Sequence, residues 1–251
     1  MSGKPVLTLI LAEAALETVP KEILDHPQVK RHAERAGKPA SRLLLNKSYH
    51  YEAMAKLKDK EKRGRPDIVH LTLLEVLGSP LNMEGLLKVY VHTYGGYVID
   101  VRPEVRLPRD CNRFSGLMEQ LFQEGRVPPE GRPLLTLRRQ TLTQLVRKLK
   151  PTLTVALTRQ GEPQPANQLA RELTQTSRPT VIIGGFPHGG FSRQTLRLAD
   201  RLVAIDRESL EAWVVASRIV AYYEQALGLP EERLRQPLNP RGKTKINARR
   251  P

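Results

Sequence analysis

Continuous apolar runs of strand length recur along this chain, and segments with a helical spacing of apolar residues lie between them. The runs cover residues 6–12, 43–45, 153–157, 180–183 and 202–205. Runs without alternation are typical of strands buried on both faces of a parallel sheet. Helical spacing is found at 28–36, 140–149, 165–176 and 209–227. This order of elements predicts an α/β fold with a mostly parallel sheet flanked by helices.

A β-hairpin insertion interrupts this alternation. Residues 87–93 and 97–101 flank Tyr94-Gly95-Gly96, a sequence that favours a tight turn. Together with the arginine-bearing segment that follows, the hairpin covers about 86–125 of a single domain that we place at 1–235. Residues 236–251 hold five basic residues, three prolines and no acid, which predicts a flexible basic tail that supplements RNA contact.

The charge of the chain points to an anionic partner. Lysine and arginine number 41 against 26 acids in 251 residues, a formal net charge of +15. Nucleic acid is favoured over a membrane, and the simpler alternative is a soluble basic protein without such a partner. A single cysteine and scattered histidines exclude a disulfide framework and predict no metal site. Without a secretory leader or an apolar span, we expect a cytoplasmic protein.

The first arginine segment surrounds a predicted helix start. Pro66 followed by Asp67 is typical of a first helical turn, which places Arg65 at the entrance. A cation there opposes the helix dipole unless it has a partner. In the functional interpretation Asp67 holds the Arg65 guanidinium for RNA. The alternative is a solvated arginine or a local ion pair without a ligand.

A second arginine segment leads into an amphipathic helix. The apolar positions from Phe114 to Phe122 recur at helical spacing, and the helix is predicted to begin near 110–112 and to end at Gly125. Three arginines therefore lie at one loop-to-helix junction, where they can bind successive phosphates or a flipped base: Arg106, Arg109 and Arg113. Cys111 has no evident partner base and is expected to be a small packed residue, not a nucleophile.

A glycine-rich loop follows the strand at 180–183. Its sequence, Gly184-Gly185-Phe186-Pro187-His188-Gly189-Gly190, lacks the dinucleotide fingerprint, and no nucleotide P-loop is present. For an RNA-directed protein, the remaining small ligand for a backbone-lined loop is S-adenosylmethionine. His188 is either a general base or, as we favour, an ordinary loop residue. The helix at 209–227 is apolar almost all round and requires burial against its own sheet or a second subunit.

These segments resemble a known family, the SPOUT-class ribosome-biogenesis methyltransferases that methylate N1 of a pseudouridine in small-subunit ribosomal RNA. The resemblance covers residues 5–230. It rests on Arg65-Pro66-Asp67-Ile68-Val69-His70, on Ser79-Pro80-Leu81-Asn82, on the arginines with Phe114-Ser115-Gly116-Leu117-Met118, on the glycine loop and on Ser209-Leu210.

The resemblance implies a C-terminal trefoil knot that binds S-adenosylmethionine, and a homodimer. The implied cofactor residues are Thr158, Gly184, Gly189, Ile205, Asp206, Arg207, Glu208, Ser209 and Leu210. The implied RNA-binding residues are Arg65, Arg106, Arg109 and Arg113, with Asp67 orienting Arg65 or acting as the base. Small-subunit ribosomal RNA is the expected partner, with small-subunit ribosomal proteins as further candidates. Two alternatives stay open, a non-catalytic rRNA-binding assembly factor and a methyltransferase acting on transfer RNA.

Overall fold

The computed structural model describes residues 4–235, so the predicted basic tail at 236–251 lies outside the described residues. The strands are β1 (Leu7–Ala14), β2 (Leu87–Thr93), β3 (Tyr97–Val101), β4 (Arg126–Val127), β5 (Leu135–Arg139), β6 (Leu153–Pro163), β7 (Pro179–Gly184) and β8 (Arg201–Ala204). The helices are α1 (Pro27–Ala36), α2 (Lys47–Met54), α3 (Pro66–Leu77), α4 (Pro80–Met83), α5 (Cys111–Glu124), α6 (Leu142–Leu149), α7 (Ala166–Thr174), α8 (Arg193–Leu196), α9 (Ala212–Ala226) and α10 (Leu229–Arg235).

One sheet with the order β4-β5-β3-β2-β1-β7-β6-β8 runs through the protein. Its β2-β1-β7-β6-β8 part is parallel. The predicted hairpin pairs β2 with β3, and β5 and β4, which were not predicted, extend that side of the sheet as further antiparallel strands. The predicted α/β class, the parallel core and the hairpin are therefore confirmed. Every residue of β1 is buried, which explains its unbroken apolar run.

The pairing of β6 with β8 is interrupted. Leu157 and Glu162 of β6 both pair with Val203 of β8, so the four residues between them form an excursion around the end of β8. Gly161 lies in this excursion against the β8 backbone, and a β-carbon built on it would be 2.4 Å from the Leu202 carbonyl carbon. Only glycine fits such an approach. The trefoil knot expected in this region stays a prediction.

Helices cover both faces of the sheet. Leu9 and Leu11 of β1 point into a large core shared with α3, α5, α7 and α9, while Ile10 and Ala12 point to a smaller core under α6. The helix ends follow ordinary capping chemistry. The Asp110 side chain accepts the Arg113 N–H at 2.9 Å at the start of α5, and Gly125 ends that helix at a φ of 70°.

The segment between β1 and α3 forms a helical insertion. It has its own small core, which joins Val29 of α1 to Ala53 and Met54 of α2. The strand predicted at 43–45 is wrong. These leucines are buried, but they make only two backbone hydrogen bonds to residues 17–19, because a turn at Ala40–Arg42 and the Asn46 helix cap confine the run to three residues.

The last long helix begins later than predicted. α9 starts at Ala212 and not at Ser209, because residues 205–211 form a loop in which the Asp206 carboxylate accepts the Glu208 N–H at 3.0 Å. Half-buried Trp213, Val214 and Val215 lie in its first turn. Within residues 4–235, no helix is long and apolar enough to cross a membrane.

Candidate active site

A cavity of about 710 Å³ opens at the carboxyl ends of β7 and β8 and at residues 157–160, where β6 leaves its first pairing with β8. This is the edge of a parallel sheet at which α/β proteins bind ligands. All nine residues that the resemblance assigns to the cofactor line this one cavity: Thr158, Gly184, Gly189, Ile205, Asp206, Arg207, Glu208, Ser209 and Leu210. Three separate segments of the chain therefore meet at one place.

The cavity walls suit a ligand with both apolar and polar parts. Its size lies within the range of small-molecule and cofactor sites. Phe186 and Phe191 form an edge-to-face pair at 5.6 Å on one side. A β-carbon at Gly184 would come within 2.9 Å of the Phe186 ring, so the glycine keeps this wall in place. The residues present thus fit S-adenosylmethionine, whose adenine and charged amino-acid part need both kinds of surface.

Part of the lining was not predicted from the sequence. Arg159 and Gln160 reach the cavity from the β6 excursion, and Ala212 and Val215 reach it from the first turn of α9. Their only sequence signal is proximity to strand ends and to the loop at 205–211. His188 lines the cavity but is exposed.

The half-buried Asp206 carboxylate carries a negative charge into the cavity wall. Its hydrogen bond from the Glu208 N–H and its proximity to Arg218 lower the pKa of Asp206 below its ordinary value. The Arg218 guanidinium lies 3.4 Å from the carboxylate. Asp206 therefore stays ionised at neutral pH and can attract a cationic ligand group.

Glu13, at the end of β1, joins the glycine loop to the first arginine segment. Its carboxylate accepts hydrogen bonds from the Ser192 N–H at 2.8 Å, the Thr195 hydroxyl at 2.7 Å and the Lys62 ammonium at 2.7 Å. Burial alone would raise the pKa of Glu13, but these hydrogen bonds together lower it. The Lys62 ammonium also lies 4.5 Å from the centre of the Phe186 ring. Lys62, three residues before Arg65, is thus in direct contact with the cavity wall.

Asp67 and Arg65 form an ion pair at the start of α3. Its carboxylate accepts from the Arg65 Nε at 2.9 Å and from Nη2 at 2.7 Å, and both side chains are half-buried. The hydrogen bonds to Asp67 raise the pKa of Arg65, and the charge of Glu211 contributes. Glu211 directly precedes α9. Glu75 of α3 also accepts a hydrogen bond from Ser217 of α9, so the two helices pack side by side, and the first turn of α9 lines the cavity.

The second arginine segment is anchored to α3 by His70. This buried imidazole donates from Nε2 to the Pro108 carbonyl at 2.6 Å and stacks on the Phe114 ring at 4.3 Å. Cys111 is exposed, with its Sγ 3.4 Å from His70 Nδ1, so the expectation of a packed cysteine without a partner base is wrong. The reason is that Cys111 begins α5, whose first turn faces solvent.

Arg106, Arg109 and Arg113 are exposed around this anchor. Among residues 4–235, none of the three forms an ion pair, so their guanidinium groups are available to an anion. In the same range, no three metal-binding side chains come together.

A buried ion pair fixes the chain just before Arg65. Arg63 donates to both oxygens of Glu17 at 2.7 and 2.8 Å and lies 4.7 Å from the centre of the Tyr94 ring. The bidentate geometry defines one orientation for this segment. Neither Glu17 nor Glu13 was predicted from the sequence. Both follow the apolar run of β1, and polar residues at the carboxyl end of a buried strand are the signal that could have identified them.

Comparison with known proteins adds independent information. The family model described as EMG1/NEP1 methyltransferase matches residues 9–224. A protein of Staphylothermus marinus named ribosomal RNA small subunit methyltransferase Nep1 is 44% identical over 221 residues, which cover 88% of this chain and 96% of the relative. A protein of the same name from Pyrobaculum arsenaticum is 46% identical over 89% of this chain and 100% of its own.

A solved structure also matches the fold. The crystal structure of Archaeoglobus fulgidus Nep1 bound to S-adenosylhomocysteine superposes with a TM-score of 0.78 at 37% identity. The match covers 90% of this chain and 100% of that chain.

Proposed function

Since the chain belongs to the EMG1/NEP1 methyltransferase family, we propose that it transfers a methyl group from S-adenosylmethionine to N1 of a pseudouridine in small-subunit ribosomal RNA. Methyltransferase activity, the S-adenosylmethionine cofactor and small-subunit rRNA as substrate follow from this membership, from relatives over 40% identical in the aligned residues, and from the related structure bound to S-adenosylhomocysteine. The N1 position rests on the resemblance of the arginine segments. One observation carries the proposal: Lys62, which directly precedes the first arginine segment, contacts the Phe186 ring in the wall of the cavity.

The cavity residues hold the cofactor in this proposal. Backbone groups at Gly184, Gly189 and 205–210 bind its adenine and ribose, and the Asp206 carboxylate attracts its positive charge. When bound, S-adenosylmethionine supplies an activated methyl group on a sulfonium centre. The phenylalanine pair shields part of the cavity from water, which strengthens electrostatic interactions inside it.

The arginines hold the RNA. Arg106, Arg109 and Arg113 bind successive phosphates near the target nucleotide, which flips out of its loop to reach the cavity. Arg65 is held by Asp67 and interacts with the charge of Glu211, which adjoins the cavity residues Leu210 and Ala212. This arrangement orients the two reactants, and orientation accounts for much of the catalysis in such a transfer.

Asp67 is best assigned a positioning role. Both of its carboxylate oxygens accept hydrogen bonds from Arg65, which leaves little capacity to take a proton from the pseudouridine nitrogen. The neighbouring guanidinium groups instead favour the deprotonated nitrogen. Asp67 thus acts through Arg65 and not as the base.

We further propose that the protein forms a homodimer and acts in the cytoplasm. The half-buried apolar side chains at the start of α9 suit the interface of a homodimer, and a cytoplasmic place fits an enzyme that acts on ribosomal RNA. The single domain at 1–235, its C-terminal knot and contacts to small-subunit ribosomal proteins belong to the same proposal.

Methylation of a pseudouridine-containing hairpin from small-subunit rRNA, followed by mass spectrometry, tests the function. We expect one methyl group on the pseudouridine base. Arg113→Ala should weaken hairpin binding and leave S-adenosylmethionine affinity unchanged, whereas unchanged RNA affinity would contradict the RNA assignment. A protein that only chaperones rRNA would show no heat of cofactor binding and no transfer. A preference for transfer RNA over the hairpin would favour the other alternative.

A further inference from the structure

A second cavity lies at the same edge of the sheet, between the hairpin turn and the end of α5. Its volume is about 310 Å³, at the lower end of the range for small-molecule sites. Its walls include the aromatic rings of Tyr97 and Phe122, the hydroxyl of Thr18 and the amide of Gln123. The two rings stand edge to face at 5.9 Å. This combination of aromatic surface and hydrogen-bonding groups suits a flat heterocycle.

The charge around this cavity is positive. Arg42 lines it and is exposed, and the exposed Arg139 guanidinium lies 6.0 Å from the centre of the Tyr97 ring. Neither arginine forms an ion pair within the described part of the chain. The acid in the wall, Glu17, is neutralised by its bidentate pair with Arg63. An anionic ligand is therefore favoured.

The position of the cavity links it to the proposed RNA surface. Arg63, which binds its wall, is two residues from Arg65 and one from Lys62. Along α5, Phe122 lies nine residues after Arg113, a distance of about 14 Å. The second cavity and the cofactor cavity thus flank the arginine segment, and one RNA loop can reach both.

From this geometry we propose that the second cavity binds an unpaired base of the substrate RNA, a few nucleotides from the target. The base packs against Tyr97 and bonds to Thr18 or Gln123, and Arg42 binds the adjoining phosphate. Bases are commonly recognised in this way, by an aromatic face together with a nearby cation. This inference rests on the proposed function, because it concerns the same RNA, and it assigns a site that reads sequence beyond the methylated nucleotide.

The test combines protein variants with an abasic scan of the RNA. Each loop nucleotide of the rRNA hairpin is replaced in turn by an abasic one, and affinity is measured with the wild type and with Tyr97→Leu. We expect one abasic position away from the target to weaken wild-type binding about tenfold and to cause no further loss in Tyr97→Leu. Additive losses at every position would overturn the inference.

Arg42→Ala provides a second, exposed variant that should fold normally. It should reduce the salt dependence of RNA binding by about one phosphate contact, whereas the matched control Arg147→Ala, exposed on α6, should not. Equal effects of the two variants would show that only overall charge matters, and would reject the site. S-adenosylmethionine affinity should not change in any variant. If the wild type does not methylate the hairpin, the proposed function itself fails. If it methylates the hairpin normally and the variants at this cavity bind RNA like the wild type, only the second site is rejected.

Discussion

Replacing Gly161 by alanine should destabilise the protein and damage the cofactor cavity. The new β-carbon would lie 2.4 Å from two backbone atoms of β8, while ordinary contacts begin at 3.4 Å, so β8 must move by about 1 Å. Overpacking of this kind costs about 1–3 kcal/mol, and the upper value applies because the atoms it meets are rigid backbone. For a domain of this size, a cost of about 3 kcal/mol lowers Tm by roughly 6–12 °C.

The assay is thermal unfolding together with calorimetric titration of S-adenosylmethionine. Affinity should fall as well, because Thr158 to Gln160 and Val203 to Ala204 line the cavity and would be pushed apart. Gly190→Ala is the matched control for stability, since a β-carbon there meets nothing within 4 Å. An unchanged Tm and cofactor affinity in Gly161→Ala would refute the argument that close backbone approach shapes this site.

Three further predictions concern the junctions of the site. Glu13→Gln should lower the Tm at neutral pH, and the difference in Tm from wild type should shrink as pH falls below 4.5. The reason is that Glu13, whose pKa is lowered in the folded protein, stabilises the fold only while its carboxylate is ionised. A difference in Tm that stays constant with pH would contradict this. His70→Leu should raise KM for RNA without changing cofactor affinity, since the Pro108 carbonyl loses its hydrogen-bond donor. His70→Gln, which can still donate, should bring KM part of the way back to the wild-type value. Equal KM values for the two variants would exclude a positioning role for His70. Gly184→Val should abolish cofactor binding in a folded protein, because its side chain displaces the Phe186 ring; retained calorimetric binding would count against the cavity as the cofactor site.

The fold was predictable where burial alone fixes the pattern. β1, β7 and β8 lie in the parallel part of the sheet, so their apolar runs identified them. The three-residue run at 43–45 has the same composition, but the turn and the helix cap around it leave no length for a strand. β5 was missed because only its first residue is buried, which gives a weak pattern. The continuation of β6 beyond Leu157 is polar and exists because of its contact with β8.

The candidate site was predictable in its location and not in its connections. The glycine block and the arginines stand out locally, and the family resemblance that they support is confirmed. The roles of Glu13, Lys62 and His70, by contrast, could not be predicted from the sequence. Their roles come from contacts with Thr195, Phe186 and Pro108, which lie 182, 124 and 38 positions away. No local pattern reports such contacts, because they depend on how the strands are ordered in the sheet.

The central position of β1 has a consequence for biosynthesis. One of its edges pairs with β2, but the other pairs with β7, so that Leu9 meets Val181. At a translation rate of about 5–20 residues per second, that edge waits on the order of 10 s for its neighbour to leave the ribosome. An apolar strand with an open edge is prone to aggregation during such a delay. We therefore expect nascent chains of this protein to need protection from aggregation until the C-terminal half has been made.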